Sequence, residues 1–213
     1  MKLSAISIFF LILCACSPSQ KNPPSGDTAA SSAAAAPDTG SASRWVSDAE
    51  KFAAEYPDVG ADNIFVIRTA AQTVEILERG TGVVFLGFPE CPWCQYYAVY
   101  LQQAAREAGV NRIFYCDIKE DRENNTESYQ RIVDIHSGML QYDDEGREKI
   151  FVPQVTIVDS GRIIGCDYET SKNTFGYKTP EEYWTDERVL ALKNRLKGFM
   201  GQLSEPSCNT CNH

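Results

Sequence analysis

Two cysteines, Cys91 and Cys94, sit in the stretch Phe88-Pro89-Glu90-Cys91-Pro92-Trp93-Cys94. Two thiols so spaced can perform thiol–disulfide exchange. The first attacks a disulfide as its thiolate, and the second displaces the mixed disulfide from the first. The chemistry depends on where the pair stands. A thiol at the first turn of a helix meets unpaired backbone N–H groups and the positive end of the helix dipole, and both favour the anion. Pro92 suits that turn because its missing N–H costs nothing there. Trp93 offers an apolar face to a substrate and shields one side of the sulfurs. The competing readings are a structural disulfide or half of a zinc site. A zinc site needs about four ligands, and the two histidines, His136 and His213, are both remote in sequence.

The flanking residues read as the elements such a site needs. Gly82-Val83-Val84-Phe85-Leu86-Gly87 is an apolar run that predicts a buried strand. The segment from Gln95 to Glu107 predicts a helix, stopped near Gly109. The pair is thus expected where a strand hands over to a helix.

The remaining composition bounds the reading. In 213 residues there is room for one ordinary domain with appendages. A net charge of −9 argues against nucleic acid as a partner. Eight cysteines point to an oxidising compartment. Met1-Lys2 followed by apolar Leu3 to Leu13 reads as an export signal, too short to span a bilayer. It ends in Leu13-Cys14-Ala15-Cys16, which resembles the lipobox of bacterial lipoproteins, with Cys16 as the lipidated residue. A cysteine at the variable position departs from that pattern, and an ordinary secretory signal is the alternative. Residues 17–43 are rich in Ser, Ala and Pro and predict a disordered tether holding the folded part off a membrane.

Folded sequence is expected over 44–203, with a Cys-containing tail over 204–213. Trp45-Val46 and Phe52-Ala53 lie at helical spacing, closed by Pro57. Asn63 to Ile67 and Arg112 to Ile118 predict strands. Thr69 caps a helix with Val74, Ile76 and Leu77 as its apolar positions. A helix is expected around Glu127 to Ile135, with Ile132, Val133 and Ile135 inward. The acidic loop Asp143-Asp144-Glu145-Gly146 lacks the alternating oxygens of a calcium loop and reads as a solvated turn. Phe151 to Val158 and Ile163 to Cys166 predict a hairpin turned by Asp159-Ser160-Gly161-Arg162. Thr179-Pro180-Glu181-Glu182 caps a helix, and Val189, Leu190, Leu192, Leu196 and Phe199 mark an amphipathic stripe.

This order of elements, the Cys91-Pro92-Trp93-Cys94 motif and Val152-Pro153 before the fourth strand together resemble the thioredoxin fold. The likeness spans Asn63 to Leu203, with an extra N-terminal helix and a longer middle connection. It implies an α/β protein with a central mixed sheet flanked by helices, and a cis peptide bond at Pro153 packed against the two cysteines. In the family the backbone before that proline hydrogen-bonds an extended substrate, so Pro92, Trp93, Val152 and Pro153 are the expected substrate-binding residues. Cys91 is the expected nucleophile and Cys94 the more buried resolving thiol. The grouping most similar is that of bacteriocin-transport accessory proteins, which pair a Cys-Pro-aromatic-Cys site with this layout.

The resemblance implies a membrane-anchored, extracytoplasmic thiol–disulfide oxidoreductase without cofactor. Its partners would be exported proteins and an unidentified redox partner. The family's strong oxidases carry a histidine where this chain has Trp93. Glu90 opposes thiolate formation if it points inward. Thioredoxins also carry a buried aspartate where this chain has Phe85. These departures favour a reductase or isomerase over a strong oxidase. A non-catalytic accessory of a secretion or bacteriocin-export system is the alternative from another class. A thiol peroxidase is weaker still, since no arginine lies near the motif in sequence. Cys116 and Cys166 fall on the third and fifth strands, roughly 14 Å apart in the family's sheet order, too far for a disulfide. Cys116 is expected as a buried free thiol, and His136 as a surface or packing residue. Cys208 and Cys211 remain open as a structural pair, free thiols, a second redox pair, or a metal site with His213.

Overall fold

The computed structural model describes residues 48–172 and 176–204. It is an α/β structure with a mixed five-stranded sheet covered by helices on both faces. Helix α1 occupies residues 48–55, and a 3-10 turn, Pro57–Val59, closes it. Then come β1 (Phe65–Ile67), α2 (Ala70–Arg79), β2 (Gly82–Gly87), α3 (Pro92–Glu107), β3 (Ile113–Asp117), α4 (Lys119–Glu123) and α5 (Glu127–Ile135). A small hairpin, β4 (Gln141–Tyr142) and β5 (Glu148–Lys149), precedes β6 (Gln154–Asp159), β7 (Arg162–Asp167), α6 (Glu169–Lys172), α7 (Pro180–Tyr183) and α8 (Asp186–Met200).

The sheet order is β1-β3-β2-β6-β7. β3 runs parallel to both neighbours, while β2–β6 and β6–β7 are antiparallel. Strand β2 is central, so its residues are buried on both faces, which is why it reads as a continuous apolar run. Successive side chains alternate between two cores. Val83, Phe85, Ile113 and Tyr115 face the core beneath α1, α3 and α8. Val84, Leu86, Phe114 and Cys116 face the core beneath α2 and α5.

Local chemistry explains the boundaries. Thr69 and Gln72 form a reciprocal cap on α2: the Gln72 N–H donates to Thr69 Oγ1 at 3.2 Å, and the Thr69 N–H donates to Gln72 Oε1 at 3.1 Å. The fully buried positions of α2 are Ala70, Thr73 and Leu77, while Val74 and Ile76 pack half-buried at the core edge. Ser160 and Gly161 both take positive φ, as a two-residue turn between twisted strands requires. A side chain at Gly161 would also strike the Glu78 carbonyl, with its Cβ 2.0 Å from that oxygen.

The C-terminal segment departs from the predicted stripe. Chain bends at Trp184, and Thr185 caps α8 afresh through the Arg188 N–H. Val189, Leu192, Leu196, Phe199 and Met200 then face the core, but Leu190 is 59% exposed. Two residues before Leu192 it points to the opposite side of the helix, so an apolar residue there does not extend the buried face. The acidic loop 143–146 is the turn of the β4–β5 hairpin. There the Asp143 carboxylate accepts from the Glu145 and Arg147 N–H groups and pairs with the Arg147 guanidinium.

An ionic group ties α8 to the edge strand. Asp167, 3% exposed at the end of β7, accepts from the Tyr97 hydroxyl at 2.7 Å and from Arg195 Nε at 2.5 Å. Arg195 also pairs with Glu169, which accepts from the Tyr183 hydroxyl at 2.6 Å.

His136 caps the end of α5 and is fully buried, so it is a packing residue and not a surface one. Its Nδ1 lies 2.8 Å from the Ile132 carbonyl, which can only accept, so Nδ1 carries the proton. Nε2 therefore accepts from the Thr156 hydroxyl, also at 2.8 Å. Burial lowers the pKa of this neutral ring. The unfolded chain then binds a proton that the folded chain refuses. Stability should be complete above about pH 6.5 and fall as pH drops through the window below it, by about 1.4 kcal/mol per unit at most from this residue. Urea unfolding of wild type and His136→Asn at several pH values checks this. The variant should lack that component of the slope, and parallel profiles would refute it.

Candidate redox site

Strand β2 ends at Gly87, and a tight turn leads into α3, where the Cys91 N–H donates to the Phe88 carbonyl at 3.2 Å. Cys91 is the N-cap of α3 and Pro92 its first residue. The Cys91 carbonyl begins the helical bonding, while its sulfur accepts the otherwise orphaned Cys94 N–H at 3.3 Å. A sulfur thus does the work usually left to a capping oxygen. Cys91 is 8% exposed and Cys94 0%. Both are free thiols.

The two sulfurs titrate in opposite directions. A hydrogen bond from the Cys94 thiol holds the Cys91 pKa below the ordinary thiol range. The Cys94 and Trp93 backbone N–H groups and the Arg122 charge add to this, against the cost of burial. Burial drives the Cys94 thiol well above its ordinary range, and the bond and charge it shares with Cys91 push further. One sulfur is prepared to be an anion and its neighbour to stay protonated.

Two of the site's charges come from α4, a helix of only five residues. Lys119 Nζ holds the Glu90 carboxylate at 2.8 Å, and Glu90 is exposed. Its charge is therefore turned outward and neutralised, not aimed at Cys91. The Arg122 guanidinium lies 5.1 Å over the Phe88 ring and lowers the pKa of both thiols. Arg122 is distant in sequence from the cysteines and is brought in by the β3–α4 turn, so spacing along the chain gave no sign of it.

The floor of the site is aromatic. Phe85 is fully buried, its ring centroid 5.6 Å from Tyr115 and 6.2 Å from both Tyr97 and Tyr56. No charge stands at position 85. The nearby polar groups are the Tyr56 and Tyr115 hydroxyls, 3.2 Å apart. A Cβ added to Gly87 would lie 3.3 Å from Cys94 Sγ and 3.0 Å from the Phe85 ring, so the buried sulfur rests directly on Gly87.

Val152-Pro153 has a cis peptide bond. Leu86 pairs with Gln154 in the antiparallel β2–β6 ladder, and one further step sets Pro153 across from Gly87. Val152 packs half-buried against the cluster that contains both cysteines, whereas Pro153 is buried. Pro92 is exposed and Trp93 half-buried, its ring edge-on to Tyr183 at 5.6 Å. Of the four expected substrate-binding residues, Pro92, Trp93 and Val152 thus keep exposed surface and Pro153 does not. Two clefts lie away from the thiols. One of about 470 Å³ separates α4 and α5 from the β4–β5 hairpin, and another of about 430 Å³ lies around Gly82, Phe114 and Met200. Neither is lined by a thiol.

Cys116 is buried in the opposite core, and burial pushes its thiol up to about 12. Cys166 is half-buried with its sulfur 3.9 Å from Thr156 Oγ1. Their strands, β3 and β7, are three spacings apart. Among the described residues no group of three or more His, Cys, Asp or Glu could hold a metal ion. No described helix is long and apolar enough to cross a membrane. Cys16, Cys208, Cys211 and His213 lie outside the described residues. No family model matches the sequence, and no curated protein matches it.

Proposed function

We propose that this chain is a thiol–disulfide oxidoreductase of the thioredoxin-like type, with Cys91 as nucleophile and Cys94 as resolving thiol. The observation that carries the reading is the asymmetry of the pair at the start of α3. Cys91 caps the helix, receives an N–H bond at 3.3 Å and has a lowered pKa, while Cys94 is sealed and held neutral. The sheet order and the cis Val152-Pro153 bond opposite Gly87 support the fold assignment.

Extended polypeptide is the substrate class that suits a rim of Pro92, Trp93 and Val152. Trp93 offers no charge to hold the Cys91 thiolate, so stabilisation of the reduced form is partial and the couple acts as a reductase or isomerase, not a strong oxidase. Lipidation at Cys16, followed by the Ser-, Ala- and Pro-rich stretch 17–43, would place the domain outside the cytoplasmic membrane, where exported proteins would be its partners.

Cys94→Ser tests the reading. Cys91 can still attack, but nothing displaces the product, so the variant should accumulate substrates as mixed disulfides through Cys91, released by dithiothreitol and visible on non-reducing gels. Absence of any trapped species, together with failure of the wild type to reduce a model protein disulfide, would overturn the proposal.

A further inference from the structure

Resolution of a mixed disulfide requires Cys94 to lose a proton while it is sealed from water. Cys94 Sγ attacks Cys91 Sγ, the Cys91–substrate S–S bond breaks, and the substrate sulfur leaves with the electron pair. The substrate disulfide is reduced by two electrons and the Cys91–Cys94 dithiol is oxidised. The departing proton cannot pass to the hydrocarbon ring of Phe85.

The pleat of β3 offers another acceptor. Tyr115 and Asp117 are two residues apart on one strand and so face the same side as Phe85, Gly87 and Cys94. Asp117 is the registered partner of Gly87, on which Cys94 Sγ rests. Neighbouring strands are about 4.8 Å apart, and Gly87 puts no side chain of its own into that interval. One Asp117 oxygen accepts the Lys119 N–H at 2.9 Å, which leaves the other without that bond. Asp117 itself is exposed at the end of β3, while the buried Tyr56 and Tyr115 hydroxyls feel the charge of both Cys94 and Asp117.

We propose that Asp117 takes the proton of the Cys94 thiol as the mixed disulfide resolves, with Glu55 as the neighbouring carboxylate that tunes it. This rests on the oxidoreductase reading above. The titratable and charged groups around Asp117 are Glu55 and Tyr56 from α1, Tyr115 and Cys116 on its own strand, Glu90 before α3, and Lys119 and Glu120 from α4. Burial raises the Asp117 pKa, Glu90 and Glu120 add to it, and the Lys119 N–H and charge oppose it. Burial likewise raises that of Glu55, with Asp117 and Glu90 contributing. A carboxylate so raised is a stronger base, better matched to a thiol. The protonated acid discharges to solvent at its exposed edge, and the Cys91–Cys94 disulfide is then returned to the dithiol by an external thiol donor.

Single-turnover release of substrate thiol from reduced protein, followed from pH 5 to 9, tests this. Capture is measured separately in the Cys94→Ser background. Asp117→Asn should slow resolution at least about tenfold at neutral pH and remove the acidic inflection of its pH profile, while capture keeps its rate. Asp117→Glu should restore both. Glu55→Gln should move the inflection to lower pH, because a neighbouring negative charge is gone. Unchanged resolution and pH profile in Asp117→Asn, with normal capture, would overturn this inference alone. Failure of the wild type to form any mixed disulfide would overturn the parent reading and this one with it.

Discussion

Cys91→Ser should reduce exchange with a protein disulfide at least about a thousandfold, because a serine hydroxyl does not ionise at neutral pH and no other described thiol can replace the sulfur. Cys94 is sealed, Cys116 faces the other core, and Cys166 is on the far edge strand. The fold should be unaffected, since serine also caps helices well. The companion measurement is alkylation of the reduced wild type against pH. One thiol should react with a titration below the ordinary value near 9, as the lowered Cys91 pKa requires, and this phase should vanish in Cys91→Ser. Cys94 should show no titration across the same range, because its pKa is displaced upward. Equal reactivity of the two thiols, or residual turnover in Cys91→Ser, would contradict the assigned roles.

Loss of Arg195 should be strongly destabilising, although the residue is remote from the thiols. Arg195→Met leaves Asp167 with a buried charge and the Tyr97 hydroxyl as its remaining hydrogen-bonding side chain, and takes the cation from Glu169. Breaking a buried pair from one side costs about 3–5 kcal/mol. The Arg195 side chain is 34% exposed, so about 2–4 kcal/mol is the better figure. That corresponds to roughly 5–15 °C in Tm for a domain of this size. Adding Asp167→Asn should recover much of the loss, since the amide oxygen still accepts from Tyr97 and the charge is gone. Urea unfolding of the two single variants and the double variant measures the coupling. A midpoint for Arg195→Met equal to that of the wild type would show that the ion pair contributes nothing.

Much of this architecture was legible because its signals are local. The apolar run 82–87, the proline after Cys91, the Thr69–Gln72 cap and the Asp159-Ser160-Gly161-Arg162 turn each constrain a few neighbouring residues. What escaped depends on contacts between distant segments. α4 is Lys119–Glu123, too short for any periodicity, yet it delivers Lys119 to Glu90 and the Arg122 charge to the thiols. The polar stretch after β3 therefore contributes to the site while reading as a connection. His136 looked ordinary because its partners, the Ile132 carbonyl and Thr156, are set by the packing of α5 against β6. Leu190 misled for the opposite reason, an apolar residue in a helical run but on its wrong side. Asp117 needed the β2–β3 register before it could be set beside Gly87.

The aromatic floor beneath Cys94 also sets how many hydrogen ions accompany each electron pair. That sulfur rests on Gly87 against the Phe85 ring, in surroundings that reject its anion. Reducing the Cys91–Cys94 bond would therefore take up two hydrogen ions below the Cys91 pKa and one between it and the raised Cys94 pKa. The couple's midpoint would fall by about 59 mV per pH unit in the acid range and about 30 mV per unit beyond. Drifting acidity around the site would thus shift its reducing strength in two regimes, with the break between them set by the helix-capping sulfur.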